Sequence, residues 1–227
     1  VAPERFAPAR DGRSTELPSV EELVDLFEEL GVTEHSRILV AGDLPATARL
    51  VFTLDWLGLR ERTRLVDGGP EAWVAAGVTL STEVPRAPLV RGGLIPKVER
   101  DLVVDEAWVK ENAGKPGVAL LDARTAEEYR GERAGRNVAR AGHIPGARHL
   151  DWTAALEDDG RFAPPVRLQA LLAESGAAPG DTVAAYCRVG QRAAVLYLVA
   201  RMLGHPARIY DGSMEGWTAN PANPVSR

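Results

Sequence analysis

Apolar and polar positions in the first part of the chain alternate with a helical period. Leu23, Phe27 and Leu30 recur among Glu21, Glu22, Asp25, Glu28 and Glu29, which predicts an amphipathic helix with a solvated acidic face. Two longer segments then share one plan, the first ILVAGDLPATARLVFTLDWLGLRERTRLVDGGPEAW and the second VAAYCRVGQRAAVLYLVARMLGHPARIYDGSMEGW. In each, a β-branched or apolar run enters a loop, and an apolar-periodic helix follows. The helix ends at a glycine, Gly58 or Gly204, suited to the left-handed position past a helix terminus. A short strand then reaches an Asp-Gly turn, Asp67-Gly68 or Asp211-Gly212. Trp73 and Trp217 stand at the same distance beyond it and are expected to pack a small helix on each core. This alternation predicts parallel strands with helices on both faces, and ligands beyond the strands' carboxyl ends.

The second copy extends further upstream. Val118 to Asp122 reads as a buried strand, Thr125 to Arg130 as a helix, and Gly142-His-Ile-Pro-Gly146 leads into Ala147 to Leu150. The first copy has no counterpart for these elements, and the chain opens on Val1 in an irregular stretch, so its amino-terminal unit is expected to be incomplete. The expected fold is α/β, with two domains that are each a parallel sheet flanked by helices. Their bounds are 1–84 and 101–227, joined by a linker at 85–100 that is rich in Pro, Gly and Arg.

Composition narrows the function. A formal net charge of −5 supplies no positive field for nucleic acid, and apolar runs such as Ala193 to Ala200 are too short for a bilayer. With no basic segment followed by an apolar signal core, the expected location is the cytoplasm, and the expected partners are small molecules. The lone cysteine excludes an internal disulfide and a multi-thiolate metal site, so neither metal nor cofactor is expected.

That cysteine, Cys187, follows the apolar strand Thr182 to Tyr186 and precedes the helix Arg192 to Leu203. Backbone N–H groups in such a loop can form an anion nest, with the helix dipole adding positive character. Arg188 and Arg192 flank the loop with permanent charge, a setting expected to favour the thiolate and attract a small dianion. Gly190 fits a position that a side chain would obstruct, while Val189 and Gln191 complete the loop. The competing reading is a buried strand-end thiol, which would not call for two nearby arginines. With the copies aligned on Gly58 and Gly204, Ala41 stands opposite Cys187, so only the second copy keeps chemistry. Arg192 lies one residue closer to the cysteine than in the loops of cysteine phosphatases, which disfavours phosphate as the ligand.

Tyr-Cys187-Arg-Val-Gly-Gln-Arg192, Leu-Leu-Asp122-Ala-Arg124 with Glu128-Tyr129, and Gly142-His-Ile-Pro-Gly146 together resemble a rhodanese catalytic domain over about 101–225. The first copy resembles the inactive domain of tandem thiosulfate and 3-mercaptopyruvate sulfurtransferases. The resemblance implies that Cys187 accepts sulfur from thiosulfate as a persulfide and passes it to cyanide or a thiol. Within the family, Cys-Arg-x-Gly is similar to thiosulfate-using members, and Cys-Gly to those using 3-mercaptopyruvate. One departure is Glu128, which stands where members often carry arginine.

Among supporting residues, Asp122 and Arg124 read either as a pocket rim or as a loop anchor, with the resemblance favouring structure for Arg124. His143 reads as a hydrogen-bonded turn residue rather than a general base, and Trp217 with Met214 as core beside the pocket. The alternatives are a 3-mercaptopyruvate sulfurtransferase, a noncatalytic persulfide carrier, and a cysteine-dependent phosphatase or arsenate reductase.

Overall fold

The computed structural model describes residues 1–9, 12, 14–83 and 90–227, with Glu71 described by its backbone alone. The first helix, α1 (Val20–Glu29), starts at a capping box in which Ser19 and Glu22 satisfy each other's backbone N–H, and it buries Leu23, Leu26 and Phe27. Then come β1 (Ile38–Val40), α2 (Leu44–Trp56), β2 (Thr63–Leu65) and α3 (Pro70–Ala75), with β1 and β2 pairing as a parallel two-stranded sheet.

The second half holds β3 (Val103–Val104), α4 (Glu106–Asn112), β4 (Val118–Asp122), α5 (Ala126–Tyr129), β5 (Arg148–His149), α6 (Pro165–Glu174), β6 (Thr182–Tyr186), α7 (Gln191–Met202), β7 (Ala207–Tyr210) and α8 (Ser213–Ala219). Its five strands are all parallel, in the order β3-β7-β6-β4-β5. Central β4 and β6 are covered on both faces, which is why their sequences run apolar without alternation. Alternation of side chains divides them between two layers. Ala119, Leu121, Val183, Ala185 and Ile209 join the cluster of α2, α6 and α7. Leu120, Ala184, Tyr186 and Tyr210 join the one that holds Val109, Ile144, Met214 and Trp217.

The repeated strand–loop–helix plan is present in both sheets, with Gly58 at φ +84° and Gly204 at φ +83° just past their helices. The two copies share one apolar cluster, through α2 and α7. Phe52 meets Tyr197 edge-on at 5.1 Å, and the Tyr197 hydroxyl donates to Asp55 Oδ2 at 2.8 Å. Arg201 Nη1 reaches the same oxygen at 2.8 Å. Burial raises the Asp55 pKa despite these two partners.

Three details differ from the expectation. Helix α7 begins at Gln191, one residue before Arg192. Trp73 is only half-buried and donates its indole N–H to Asp67 O at 3.0 Å, fastening a turn rather than filling a core. The two Asp-Gly turns also diverge. Asp67 accepts from its own Gly68 N–H, with Gly68 at φ +80°, whereas Gly212 is right-handed at φ −56°. Each aspartate also has a partner in the other half of the chain, Asp67 the Phe162 N–H and Asp211 the Arg49 guanidinium and Leu17 N–H, but the left-handed residue at the second turn is Ser213, at φ +49°.

Of the linker, 85–89 lie outside the described residues. Its second half is held against the first unit, with Arg91 paired to Asp25 and Glu28 and the Lys97 N–H donating to Leu57 O. No helix among the described residues is long and apolar enough to cross a membrane.

Candidate active site

Cys187 sits one residue beyond the carboxyl end of β6 and is 1 % exposed. Its Sγ accepts the Gly190 N–H at 3.1 Å. Around it, three successive carbonyls are taken by donors from other segments. Cys187 O accepts from Met214 N (3.0 Å), Arg188 O from Glu215 N (3.1 Å) and Val189 O from Thr15 Oγ1 (2.5 Å). In a planar trans peptide the N–H points opposite to its carbonyl. Holding those carbonyls outward therefore turns the N–H groups of Arg188, Val189 and Gly190 the other way. The Gly190 contact with sulfur demonstrates that direction. The remaining backbone donor, Cys187 N, goes to Ser213 Oγ at 3.3 Å, and Ser213 Oγ donates to Tyr210 O.

Gly190 caps α7 in the left-handed region at φ +86° and contributes no side-chain cap. A Cβ there would lie 2.9 Å from both Arg49 Nη1 and Asp211 Oδ1, so glycine is required for space as well as for conformation. The first turn of α7 thus opens onto the sulfur as a concentration of N–H groups and dipole charge.

The two flanking arginines are differently engaged. Arg192 makes a two-pronged pair with Glu128, Nη1 to Oε2 at 2.7 Å and Nη2 to Oε1 at 3.1 Å. Burial works against the Arg192 charge, but Glu128 and the adjacent Cys187 sulfur hold its pKa above the ordinary value. Burial likewise opposes the Glu128 charge, and pairing with Arg192 wins, leaving that carboxyl below its usual range. Arg188 is looser. Its Nη1 lies 3.4 Å from Ser14 Oγ and from Arg136 O, and 3.9 Å from Glu215 Oε2. Val189 is buried, and Gln191 opens α7 half-exposed.

Asp122 and Arg124 form a fully buried pair at 2.6 Å, and Arg124 also donates to Gly142 O at 2.7 Å. The pair ties the β4 end to the turn that carries His143. His143 stacks on Tyr129 at 3.8 Å, with Nδ1 2.9 Å from Tyr129 O. Its backbone pairs with Ser226 in both directions. Trp217 lies in the layer with Tyr186, on the sheet face opposite Cys187, where its indole donates to Pro224 O. The part of α8 that meets the loop is its first turn, through the Met214 and Glu215 N–H groups.

Several residues that shape the loop have no local signal in the sequence. Thr15, Ser213 and Glu215 act through hydrogen bonds to backbone or to distant partners, and Arg49 comes from the other copy. Only the duplication offers a hint, because it places α2 where a helix must pack on α7.

A cysteine-bearing loop at the carboxyl end of an all-parallel α/β sheet defines the class, and comparison with known proteins agrees. Residues 105–220 match the rhodanese-like domain model. A probable 3-mercaptopyruvate sulfurtransferase from Pseudomonas aeruginosa is 36 % identical over 97 % of this chain and 78 % of its own length. A thiosulfate sulfurtransferase from Azotobacter vinelandii is 32 % identical over 92 % of this chain and 76 % of its own. Among solved structures, an anaerobic ergothioneine biosynthesis enzyme from Chlorobium limicola, in complex with trimethyl histidine, superimposes with a TM-score of 0.82 at 25 % identity. That match covers 99 % of this chain and 57 % of the other. The chain belongs to the rhodanese family and is a sulfurtransferase.

Proposed function

We propose that this sulfurtransferase takes its sulfur from thiosulfate and delivers it to cyanide or a thiol through a persulfide on Cys187. In the first step the Cys187 thiolate attacks the outer sulfur of thiosulfate. The S–S bond of the donor breaks, and sulfite leaves with the bonding pair. In the second step the acceptor attacks the terminal sulfur of the persulfide, and the Cys187 thiolate leaves. The observation that carries this reading is the Gly190 N–H on Sγ, within a loop whose three preceding carbonyls are held outward. The same donors suit a thiolate, a persulfide, and the charge that develops on sulfur between them.

In this scheme the backbone of Val189, Gly190 and Gln191 lines the cradle, and Arg188, the less constrained cation, steers the anionic end of the donor. Asp122, Arg124 and His143 support the loop from behind, and Trp217 supports α8. We assign 1–84 to a partial rhodanese-like unit without a nucleophile and 101–227 to the catalytic one.

A second reading, 3-mercaptopyruvate as donor, is favoured by the engagement of Arg192. A guanidinium already held at both prongs by Glu128 offers less to a dianion, whereas 3-mercaptopyruvate brings a single carboxylate. Intact mass after incubation with thiosulfate tests the main proposal. A gain of ~32 Da in the wild type and none in Cys187→Ser is expected. No gain with thiosulfate but transfer from 3-mercaptopyruvate would replace the donor, and no gain from either would remove the proposal.

A further inference from the structure

Arg49 lies on α2, in the unit that carries no thiol, yet its side chain is fully buried against the catalytic loop of the other unit. Nη1 binds Asp211 Oδ1 at 2.5 Å. The other Asp211 oxygen accepts the Leu17 N–H at 3.1 Å. Both Nη1 and Oδ1 stand 2.9 Å from the point where a Gly190 Cβ would be, so the ion pair fences the one glycine whose N–H touches Sγ. The guanidinium also lies 5.4 Å from the Phe52 ring centre, which limits where it can move.

Arg49 uses only part of its hydrogen-bonding capacity, as does Arg124 in the buried pair behind the loop. Arg49 Nε and Nη2 are buried and have no hydrogen-bond partner among the described residues. Unsatisfied buried donors are costly, and replacing a buried ion pair by an apolar pair of similar volume is often neutral or stabilising. Such violations of local economy are concentrated where a site must be held in one geometry. At this position the geometry held is the left-handed turn at Gly190, which directs its N–H towards sulfur.

We propose that Arg49 is a positioning residue for sulfur transfer, contributed by the thiol-free unit. Paired with Asp211, it sets the Gly190 peptide so that its N–H remains on the Cys187 sulfur through both half-reactions. The thiol-free copy is thus part of the catalytic loop's support. This inference rests on sulfur transfer at Cys187 and adds to that reading a residue outside the family-matched segment, 105–220.

The test compares wild type, Arg49→Lys, Arg49→Gln, and Arg49→Gln combined with Asp211→Asn, which removes the pair without leaving a lone buried charge. Steady-state transfer from thiosulfate to cyanide is measured with the pH profile of Cys187 alkylation by iodoacetamide. For the double variant, kcat is expected to fall at least about tenfold with KM within about twofold, because the loss falls on the reacting sulfur rather than on donor binding. Its alkylation profile should move to higher pH, and Arg49→Lys should recover part of both losses.

A folded double variant with unchanged kcat and an unchanged alkylation profile would overturn the proposal. A double variant that does not fold would also overturn it, by assigning the pair to the framework alone. Alkylation does not depend on the sulfur donor. If wild type transfers no sulfur while the profiles still separate, sulfur transfer fails and the positioning role stands.

Discussion

The two strand–loop–helix copies spend their helix N-termini differently. In the first, β1 ends at Val40, and α2 is capped by Asp43, whose carboxylate accepts the Ala46 N–H at 3.4 Å. In the second, β6 ends at Tyr186 and α7 is capped by Gly190, with no side chain to occupy the N–H groups. A carboxylate at a helix N-terminus neutralises the dipole and satisfies a donor, giving a stable helix start that has no use for an anionic ligand. A left-handed glycine leaves that work to something else, and in this chain the something else is the Cys187 sulfur. Both segments run strand, loop, helix and strand. The two loops differ in what stands at the helix start: a carboxylate on the Ala46 N–H in one, and a sulfur on the N–H of the capping glycine in the other.

The largest effect should come from exchanging the sulfur between copies. Combining Ala41→Cys with Cys187→Ala is expected to abolish sulfur transfer, measured as cyanide turnover, because Asp43 occupies the place an anionic sulfur needs. Turnover near that of wild type would break the comparison outright.

Next is Gly190→Ala. The new methyl would need φ +86° and would meet Arg49 and Asp211, so activity should fall roughly a hundredfold. Stability should fall by on the order of 1–3 kcal/mol in urea denaturation. An active, stable variant would show that the left-handed cap is not what presents the N–H.

Arg192→Leu strands the Glu128 carboxylate, so its effect falls on stability, a loss of about 3 kcal/mol. Glu128→Gln should be milder and raise the thiosulfate rate relative to 3-mercaptopyruvate, by freeing the guanidinium. An unchanged donor ratio would argue against any part for this pair in specificity.

The same pair fixes a pH dependence. Glu128 has a folded pKa below its ordinary value, so its contribution is fully present above the unfolded carboxylate pKa and is lost as pH falls through the lowered one. Thermal melts from pH 6 to pH 3 should show Glu128→Gln losing less stability on acidification than wild type, and parallel curves would contradict this.

The smallest effect expected is that of Asp43→Ala, about 1 kcal/mol of stability from a lost cap with sulfur transfer unchanged.

Much of this arrangement is legible along the chain because it is local. The apolar runs of β4 and β6, the helical period of α2 and α7, and the left-handed glycines Gly58 and Gly204 are each set by a few neighbouring residues. So is the approach of Gly190 to sulfur, since both belong to one short loop. The two Asp-Gly turns look alike in sequence and differ in space, because Asp211 is claimed by Arg49 and Leu17 while Asp67 binds its own Gly68 N–H and that of Phe162. Trp73 and Trp217 occupy equivalent places, but only Trp217 is fully buried, under the larger sheet.

The order of residues by itself determined that this protein has a lone cysteine at the end of a buried parallel strand, ahead of a helix, in a strand–loop–helix plan that appears twice along the chain. Tertiary structure decided what surrounds that cysteine. Glu128 takes Arg192 at both prongs, α8 and Thr15 hold the loop carbonyls, and Arg49 crosses from the thiol-free copy to meet Asp211. The reason is physical. Strand, helix and turn preferences act over a few residues, whereas ion pairs and carbonyl contacts join residues far apart in the chain and exist only once the sheets and helices have packed.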